Sequence, residues 1–436
     1  MTKWSDMRVK LACVVCCILA ISGCATYSAK SADMRSSLLS GQFAMARDLA
    51  EKQSSEKDVL AALNKGMLRR MTGDYIASNQ IFEQAKRRIG DLYGVSVSDQ
   101  LGAVTISDTL RDFQGDRYEQ VLLHAYMAMN YIQIGDIDAA RVEMLQADVK
   151  MREWGEAPEE DPFVRYLSGI IFEMLGESDQ ALVSYRKAYE IYKSSSDRLG
   201  LATPQIVKQD LLRLLATEEL WDEYRRLKTE FGMPDFKPVK TAGGYGEVIV
   251  VLNNGLAPQR EENAIMTFSN EVSQMVRIAL PAYRYRPAQL TRARINVDGR
   301  QQRLETVENV DALARHALND DIALITTRAI ARAVIKHKTQ REVQDKHGGL
   351  AGLLMTVTNL ATERADTRSW TTLPQEIQLT RLLLPEGQHQ VNIEMVNAAG
   401  RVVDSMQQTV TIKSGQRTLL SEHWVAPAPV ISAKSK

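Results

Sequence analysis

Length, composition and charge restrict the classes of protein that this sequence can encode. At 436 residues, 44% of them hydrophobic, the chain is long enough for two or three domains with their own cores. Its 54 basic residues balance its 54 acidic residues, so charge gives no case for nucleic-acid binding. All cysteines fall at or before position 24, which argues against a disulfide framework or a cysteine metal site in the rest of the chain.

The first residues have the pattern of an export signal. The basic stretch MTKWSDMRVK precedes the uncharged run LACVVCCILAISG, which is shorter than the about 20 residues of a permanent membrane span. Ile21-Ser22-Gly23-Cys24 then resembles the lipobox of bacterial lipoprotein precursors. The resemblance implies removal of residues 1–23, lipid attachment to Cys24 and, with Ala25 in place of Asp, sorting to the outer membrane.

Lipidation would account for all the cysteines and for the location of the protein. The cysteines before position 24 leave with the signal, Cys24 carries acyl chains such as palmitate, and two or more chains anchor a protein stably. We expect residues 24–32 to be the lipidated N-terminus and a linker, with the protein facing the periplasm. The alternative is an ordinary secretory signal in which Cys24 occurs by chance.

A repeated pattern fills residues 33–235. The stretches SGQFAMARDLA, TGDYIASNQIFEQAKRRI, IGDIDAARVEMLQADVKM and LGESDQALVSYRKAYEIY each place a small residue five positions after a turn glycine, then apolar residues at helical spacing. Gly66, Ala128 and Gly169 are small positions on the preceding helices. The pattern resembles tetratricopeptide-type helical pairs and predicts an α-solenoid.

The repeats depart from a constant period. The turn glycines at 41, 73, 135 and 176 are unevenly spaced, so an insertion is expected before residue 116, and a degenerate fifth pair is expected from Gln205 to Phe231. An irregular helical bundle is the alternative.

In a solenoid of this kind the first helices line a concave face. The predicted partner-binding groove has apolar walls that suit an amphipathic helix or an extended peptide, with Arg70 and Glu173 at its rim. The open alternative is that the protein's own insertion or second domain fills it. The predicted lining residues are Leu60, Leu63, Met67, Leu122, Ala125, Met129, Ile132, Phe163, Tyr166 and Ile170.

The second half changes from helical to strand periodicity. Residues 236–246 are predicted to be a Gly- and Pro-rich linker, and residues 247–424 an α+β domain. EVIVVLNNG predicts a strand, ARINVDGRQQRLETV a hairpin with an Asp298-Gly299 turn, and Val310 to Lys346 a long helix. EIQLTRLLLP, HQVNIEMVN, RVVDSMQQTVTI and RTLLSEHW predict a final antiparallel meander or small sandwich, followed by a frayed tail at 425–436.

Two segments suggest further contacts. HGGLAGLLMTVTNLAT, residues 347–362, is apolar and either touches a membrane surface or forms a buried helix or hairpin. Asp366, Arg368 and Trp370 lie close together in ADTRSWTTLP and form a candidate second interface, since Arg and Trp are favoured at interfaces. The alternative is an internal Asp–Arg pair with the tryptophan capping the core.

Motifs for catalysis are missing from the sequence. The histidines are scattered, and there is no HExxH, nucleophile elbow or phosphate-binding glycine loop. We therefore predict no catalytic residues, no metal, no cofactor and no small-molecule substrate. A glycan-active periplasmic enzyme is kept as an alternative, because triads can assemble from distant positions.

The lipobox, GDRYEQVLLHAYMAMNYIQIGDIDAARVE and ERADTRSWTTLP together resemble an uncharacterised family of outer-membrane lipoproteins with tetratricopeptide-type repeats. The family resembles, in context, curli-secretion lipoproteins and activators of peptidoglycan synthases. It implies an α+β multidomain scaffold or adaptor that binds another envelope protein and assists envelope or surface-structure assembly. Regulation of a peptidoglycan synthase is the alternative among binding functions.

Overall fold

The computed structural model describes residues 27–52, 58–96, 112–155, 160–238, 243–270, 272–284, 292–347, 364–397 and 399–425. The predicted signal and Cys24 lie outside the described residues. So do residues 348–362 of the apolar segment, most of the predicted insertion, and residues 426–436 of the tail.

The described residues of the first half are helical. The helices are α1 (Tyr27–Lys30), α2 (Ala32–Leu39), α3 (Phe43–Lys52), α4 (Val59–Met71), α5 (Tyr75–Ser96), α6 (Arg117–Gln133), α7 (Ile137–Glu153), α8 (Pro162–Met174), α9 (Ser178–Ser194), α10 (Ser196–Leu199), α11 (Gln205–Thr217) and α12 (Trp221–Glu230).

Short turns join these helices into pairs: α2 with α3, α4 with α5, α6 with α7, α8 with α9, and α11 with α12. In the first four pairs the turn glycines have φ of 73°, 81°, 85° and 75°, a left-handed conformation that glycine adopts without steric cost. In the last pair Glu219 takes this place with φ 57°. The helical pairs of the sequence analysis are therefore present, including the degenerate fifth pair.

In three of the helix pairs, the first helix has an aspartate at its N-terminus. Asp58 accepts hydrogen bonds from the backbone N–H groups of Leu60 and Ala61, and Asp161 accepts one from Val164. Asp116 forms a capping box with Glu119 at the start of α6. These side chains satisfy N–H groups that have no partner within the helix.

The second half is built from strands and one long helix. The strands are β1 (Tyr245–Asn254), β2 (Arg260–Ser269), β3 (Gln274–Tyr283), β4 (Arg292–Val297), β5 (Arg300–Arg303), β6 (Glu305–Asn309), β7 (Glu376–Pro385), β8 (Gly387–Val396), β9 (Val402–Ile412) and β10 (Arg417–Trp424), and the helix is α13 (Val310–His347).

Two four-stranded sheets face each other, with strand orders β10-β1-β7-β6 and β5-β4-β8-β9. Their shared core contains Val248, Val250 and Leu252 from β1 and Ile295 and Ile393 from the other sheet. The last four strands are thus divided between two sheets and do not form a single meander. In addition, β10 pairs with β1 in parallel, which local pattern alone could not reveal.

The first sheet is buried on both faces. Ile249 and Val251 of β1 point away from the sandwich core and join the core of the helical domain, together with Leu379 and Leu419. Side chains alternate across a strand, so β1 supplies apolar residues to both layers. The molecule therefore has three layers, in the order helical repeats, first sheet and second sheet.

The strands β2 and β3 form a separate antiparallel hairpin. No helix or strand is predicted from the sequence for residues 260–283. The hairpin packs against α13, where Val276 and Ile278 meet Ala329, Ala333 and Val334.

Candidate interaction surfaces

The concave face of the helical repeats is filled by the protein's own second half. Of the predicted groove residues, all except Ile132 are at most 1% exposed, and Ile132 is partly buried. They share one core with Val251, Leu379 and Leu419 of the first sheet and with Trp370. The prediction of an open partner groove is wrong for this structure, and the alternative of self-occupation describes it. An apolar lining is expected whether a partner protein or the chain's own second half fills the groove. The lining alone therefore does not identify the occupant.

Trp370 lies at the centre of the filled face. Its ring makes edge contacts with Phe82 and Tyr126, at centroid distances of 5.7 and 6.1 Å. Its backbone N–H donates to Oε1 of Glu119 at 2.7 Å, and its indole N–H donates to Oγ1 of Thr372 at 2.9 Å. At 1% exposure Trp370 cannot belong to an external interface.

Asp366 and Arg368 also make their contacts within the protein. Nη2 of Arg368 lies 2.7 Å from Oδ2 of Asp366, and the guanidinium lies 5.6 Å from the centre of the Phe113 ring. Both side chains are partly buried. The predicted second interface is therefore an internal Asp–Arg pair beside a core tryptophan, which was the alternative interpretation.

The predicted rim residues bind strands of the first sheet. Nη2 of Arg70 donates to Oγ of Ser421 at 2.5 Å. Glu173 accepts hydrogen bonds from Arg381 of β7, Arg417 of β10 and Arg213 of α11. Burial alone would raise the pKa of Glu173, but these guanidinium groups outweigh it and hold the pKa well below its usual range. The polar rim is thus complementary to the sheet that covers the groove.

Arg381 connects the two halves most extensively. Its Nη1 lies 2.7 Å from Oδ2 of Asp210 and 3.1 Å from Oε2 of Glu173, while its Nη2 lies 2.5 Å from Oε2 of Glu247. The side chain is only 5% exposed. A buried cation is stable here because several carboxylates surround it.

A cavity of about 390 Å³ lies between the starts of α6 and α8 and the outer side of α13. Asp161 lines it and is buried against Glu308 of β6. Burial raises the pKa of both carboxyls, and the proximity of Asp161 raises that of Glu308 further. Asp116 and Asp161 are the N-cap residues of α6 and α8, which gives these two carboxyls a structural role. Within the described ranges no cluster of His, Cys, Asp and Glu could hold a metal ion.

The described surface includes two groups of three exposed apolar side chains. The α7 stripe consists of Val142, Leu145 and Val149, which are 46%, 48% and 56% exposed. Their i, i+3, i+7 spacing puts them on one side of the helix, opposite the buried repeat positions Ala140, Met144 and Ala147. The repeat pattern predicts only the buried face of this helix, although the apolar spacing of Val142, Leu145 and Val149 is also present in the sequence.

The second cluster, the hairpin patch, consists of Met266, Phe268 and Met275. The patch is not predicted from the sequence, because no strands are predicted for residues 260–283. Among the described residues, no helix has the length and apolar character needed to cross a bilayer.

No protein-family model matches the chain, and a search of curated proteins finds no match. Among solved structures the chain is similar to a crystal structure of the MamA protein, with 14% identity, TM-score 0.31, and coverage of 49% of this chain and 96% of that chain. It is also similar to MamA from AMB-1, with 16% identity, TM-score 0.29, and coverage of 47% and 96%. For BtubC from P. vanneervenii the values are 15%, 0.24, 49% and 93%. TM-scores this low carry no argument about function.

Proposed function

We propose that this protein is a lipid-anchored adaptor of the bacterial envelope that binds another envelope protein. The lipobox at residues 21–24 supports attachment through Cys24 to the outer membrane, with the folded part facing the periplasm. The fold supports a binding role on an external surface, because the concave face is already occupied.

The α7 stripe is the observation that carries the binding proposal. Three aligned apolar side chains lie about half exposed on a helix whose other side is firmly packed in the repeat core. Burying the exposed half of one such side chain contributes about 1 kcal/mol. An apolar helix or sheet edge of a partner protein would fit this stripe.

Site-specific crosslinking tests the stripe directly. A photo-crosslinking amino acid in place of Leu145, in the lipidated protein in its envelope, is expected to capture one partner in stoichiometric amount. The same amino acid in place of the similarly exposed Val403 of β9 is the control, and we expect it not to capture that partner.

Substitutions that place charge in the α7 stripe test the same contact by loss of binding. Val142→Glu with Val149→Glu is expected to lower recovery of that partner at least tenfold, because an unpaired carboxylate opposes apolar burial. Val402→Glu with Val403→Glu changes residues of similar exposure on β9 and is the control. Unchanged recovery in the α7 variant, with the fold intact by circular dichroism, would contradict the proposal.

The partner's identity distinguishes the remaining functions. If it is a peptidoglycan synthase, adding the purified adaptor should stimulate that enzyme, as the regulatory alternative predicts. The anchor has its own test: Cys24→Ser should abolish incorporation of labelled palmitate and release the protein from membranes. Retention of label in that variant would remove Cys24 as the lipid site.

A further inference from the structure

The hairpin patch is a compact apolar surface at the distal end of β2 and β3. Met266, Phe268 and Met275 are 58%, 58% and 55% exposed. Phe268 pairs directly with Met275 across the two strands, and Met266 follows two residues away on the same face. The three side chains therefore lie next to one another, and the patch ends at Arg277, which pairs with Met266 and whose Nη2 lies 3.2 Å from Oε1 of Glu262.

The opposite face of the hairpin is packed and supports the patch. Val276 and Ile278, which alternate with Met275 on β3, are buried against Ala329 and Val334 of α13. On this packed face Ile265 pairs with Ile278 and stays 41% exposed, so β3 supplies most of the contact with α13.

The base of the same hairpin lies next to the predicted anchor. Nε2 of Gln259, the residue before β2, donates to the carbonyl oxygen of Ser28 at 3.2 Å, and the N–H of Ser28 lies 3.4 Å from Oγ1 of Thr367. Cys24 is four residues before Ser28, and four residues span at most about 14 Å. The acyl chains must therefore enter the membrane close to the start of β2.

The strand β2 connects this point to the patch. Nine residues separate Gln259 from Phe268, which corresponds to about 30 Å of strand. A bilayer that receives the lipid of Cys24 is thus within reach of the patch when the hairpin lies along the membrane surface.

We propose that Met266, Phe268 and Met275 rest in the interfacial region of the lipid bilayer and, with the lipid on Cys24, hold the protein in one orientation. This inference rests on the lipid anchor of the proposed function. Its chemistry is the insertion of uncharged apolar side chains among lipid headgroups and upper acyl chains. Two separated attachments would prevent the rotation that a single flexible anchor permits.

Fluorescence in proteoliposomes tests this contact in the full lipidated chain. All native cysteines lie at or before position 24, so Phe268→Cys supplies a single free thiol for an environment-sensitive dye. Leu145→Cys on the α7 stripe is the matched control, since Leu145 has similar exposure. The probe is a vesicle of phosphatidylethanolamine and phosphatidylglycerol, with and without lipids that carry a nitroxide quencher.

We expect the label at position 268 to shift to shorter wavelength in vesicles and to be quenched at least twofold by nitroxide lipids, while the label at position 145 does neither. Equal behaviour of the two labels would overturn the inference. So would a label at position 268 that is already shielded in detergent, because another part of this chain or a second copy would then cover the patch.

The anchor and the contact can fail separately. Mass spectrometry of the mature N-terminal peptide reports whether Cys24 carries lipid. If it does and the label at position 268 stays in water, the bilayer contact is wrong while the proposed function stands. If it carries none, the anchored adaptor fails first, and this inference fails with it.

Discussion

At the scale of single residues, Glu119 joins the start of α6 to the second half of the chain. Its Oε2 accepts from the backbone N–H of Asp116, and its Oε1 accepts from the N–H of Trp370, 251 residues further along. Burial raises the pKa of Glu119 to about 7, and the nearby carboxyl of Asp116 adds to the shift. The capping box is a contact within one helix end, whereas the contact with Trp370 depends on the packing of the second half against that end.

This raised pKa predicts a pH dependence of stability. In the unfolded chain Glu119 loses its proton near its usual 4.5, whereas in the folded chain it keeps the proton up to about pH 7. The folded state therefore binds more protons between these values, and the free energy of unfolding should fall by up to about 3 kcal/mol as pH rises through this window.

Urea unfolding between pH 4.5 and 7.5 checks the expectation. Glu119→Gln should flatten the pH slope but not remove it, because the pKa of Asp161 and that of Glu308 are also raised. The exposed Asp138→Asn is the control and should leave the slope unchanged. An unaltered slope in Glu119→Gln would show that another group is responsible.

At the scale of elements, the helix pairs depend on close approach at small residues. An ideal Cβ on Gly169 of α8 would lie 2.3 Å from Cε1 of Tyr185 on α9, and one on Gly66 of α4 would lie 2.4 Å from the Phe82 ring on α5. Both positions were identified from the repeat pattern, because helix spacing is a local property of each pair.

Gly169→Ala tests this packing. Tyr185 is fully buried and its hydroxyl lies 2.5 Å from Oε2 of Glu173, so its ring has little room to move. We expect a loss of about 1–3 kcal/mol in the free energy of unfolding from overpacking. Gly90→Ala is the control, since no atom lies within 4 Å of the added Cβ, and it should raise stability by up to about 1 kcal/mol. Equal effects of the two substitutions would mean that helix propensity dominates at both sites.

At the scale of the whole molecule, the helical repeats and the sandwich share an apolar core and a charged network. Arg381 brings together Glu173 and Asp210 of the helical domain and Glu247 of the sandwich. Such an arrangement specifies how the halves fit, because removing Arg381 leaves three buried carboxylates with only two guanidinium groups, those of Arg213 and Arg417, and so one buried negative charge without compensation.

Arg381→Met is therefore expected to cost about 3–5 kcal/mol of stability and to lower the urea midpoint of both halves together. Arg225→Met, which removes an exposed ion pair with Asp222, should cost less than about 1 kcal/mol. Far-UV circular dichroism and tryptophan fluorescence would report the two transitions. A midpoint equal to that of Arg225→Met would show that the apolar core alone holds the halves together.

Features whose causes lie within a few residues are predictable from the amino-acid sequence. Gly73, Gly135 and Gly176 end helices in left-handed turns, small residues follow at fixed spacing, and Asp298-Gly299 makes the hairpin turn with φ of 52° and 81°. The lipobox is likewise local, and lipidation of Cys24 stays a prediction.

What covers each apolar face depends on contacts between residues that are far apart in the chain. Met129 and Phe163 look alike whether a partner or the chain's own sheet lies against them, since burial depends on the distant residue that is placed there. The parallel pairing of Val251 with Ser421 joins strands 170 residues apart. Contacts over such distances depend on the packing of whole layers, which no short pattern encodes.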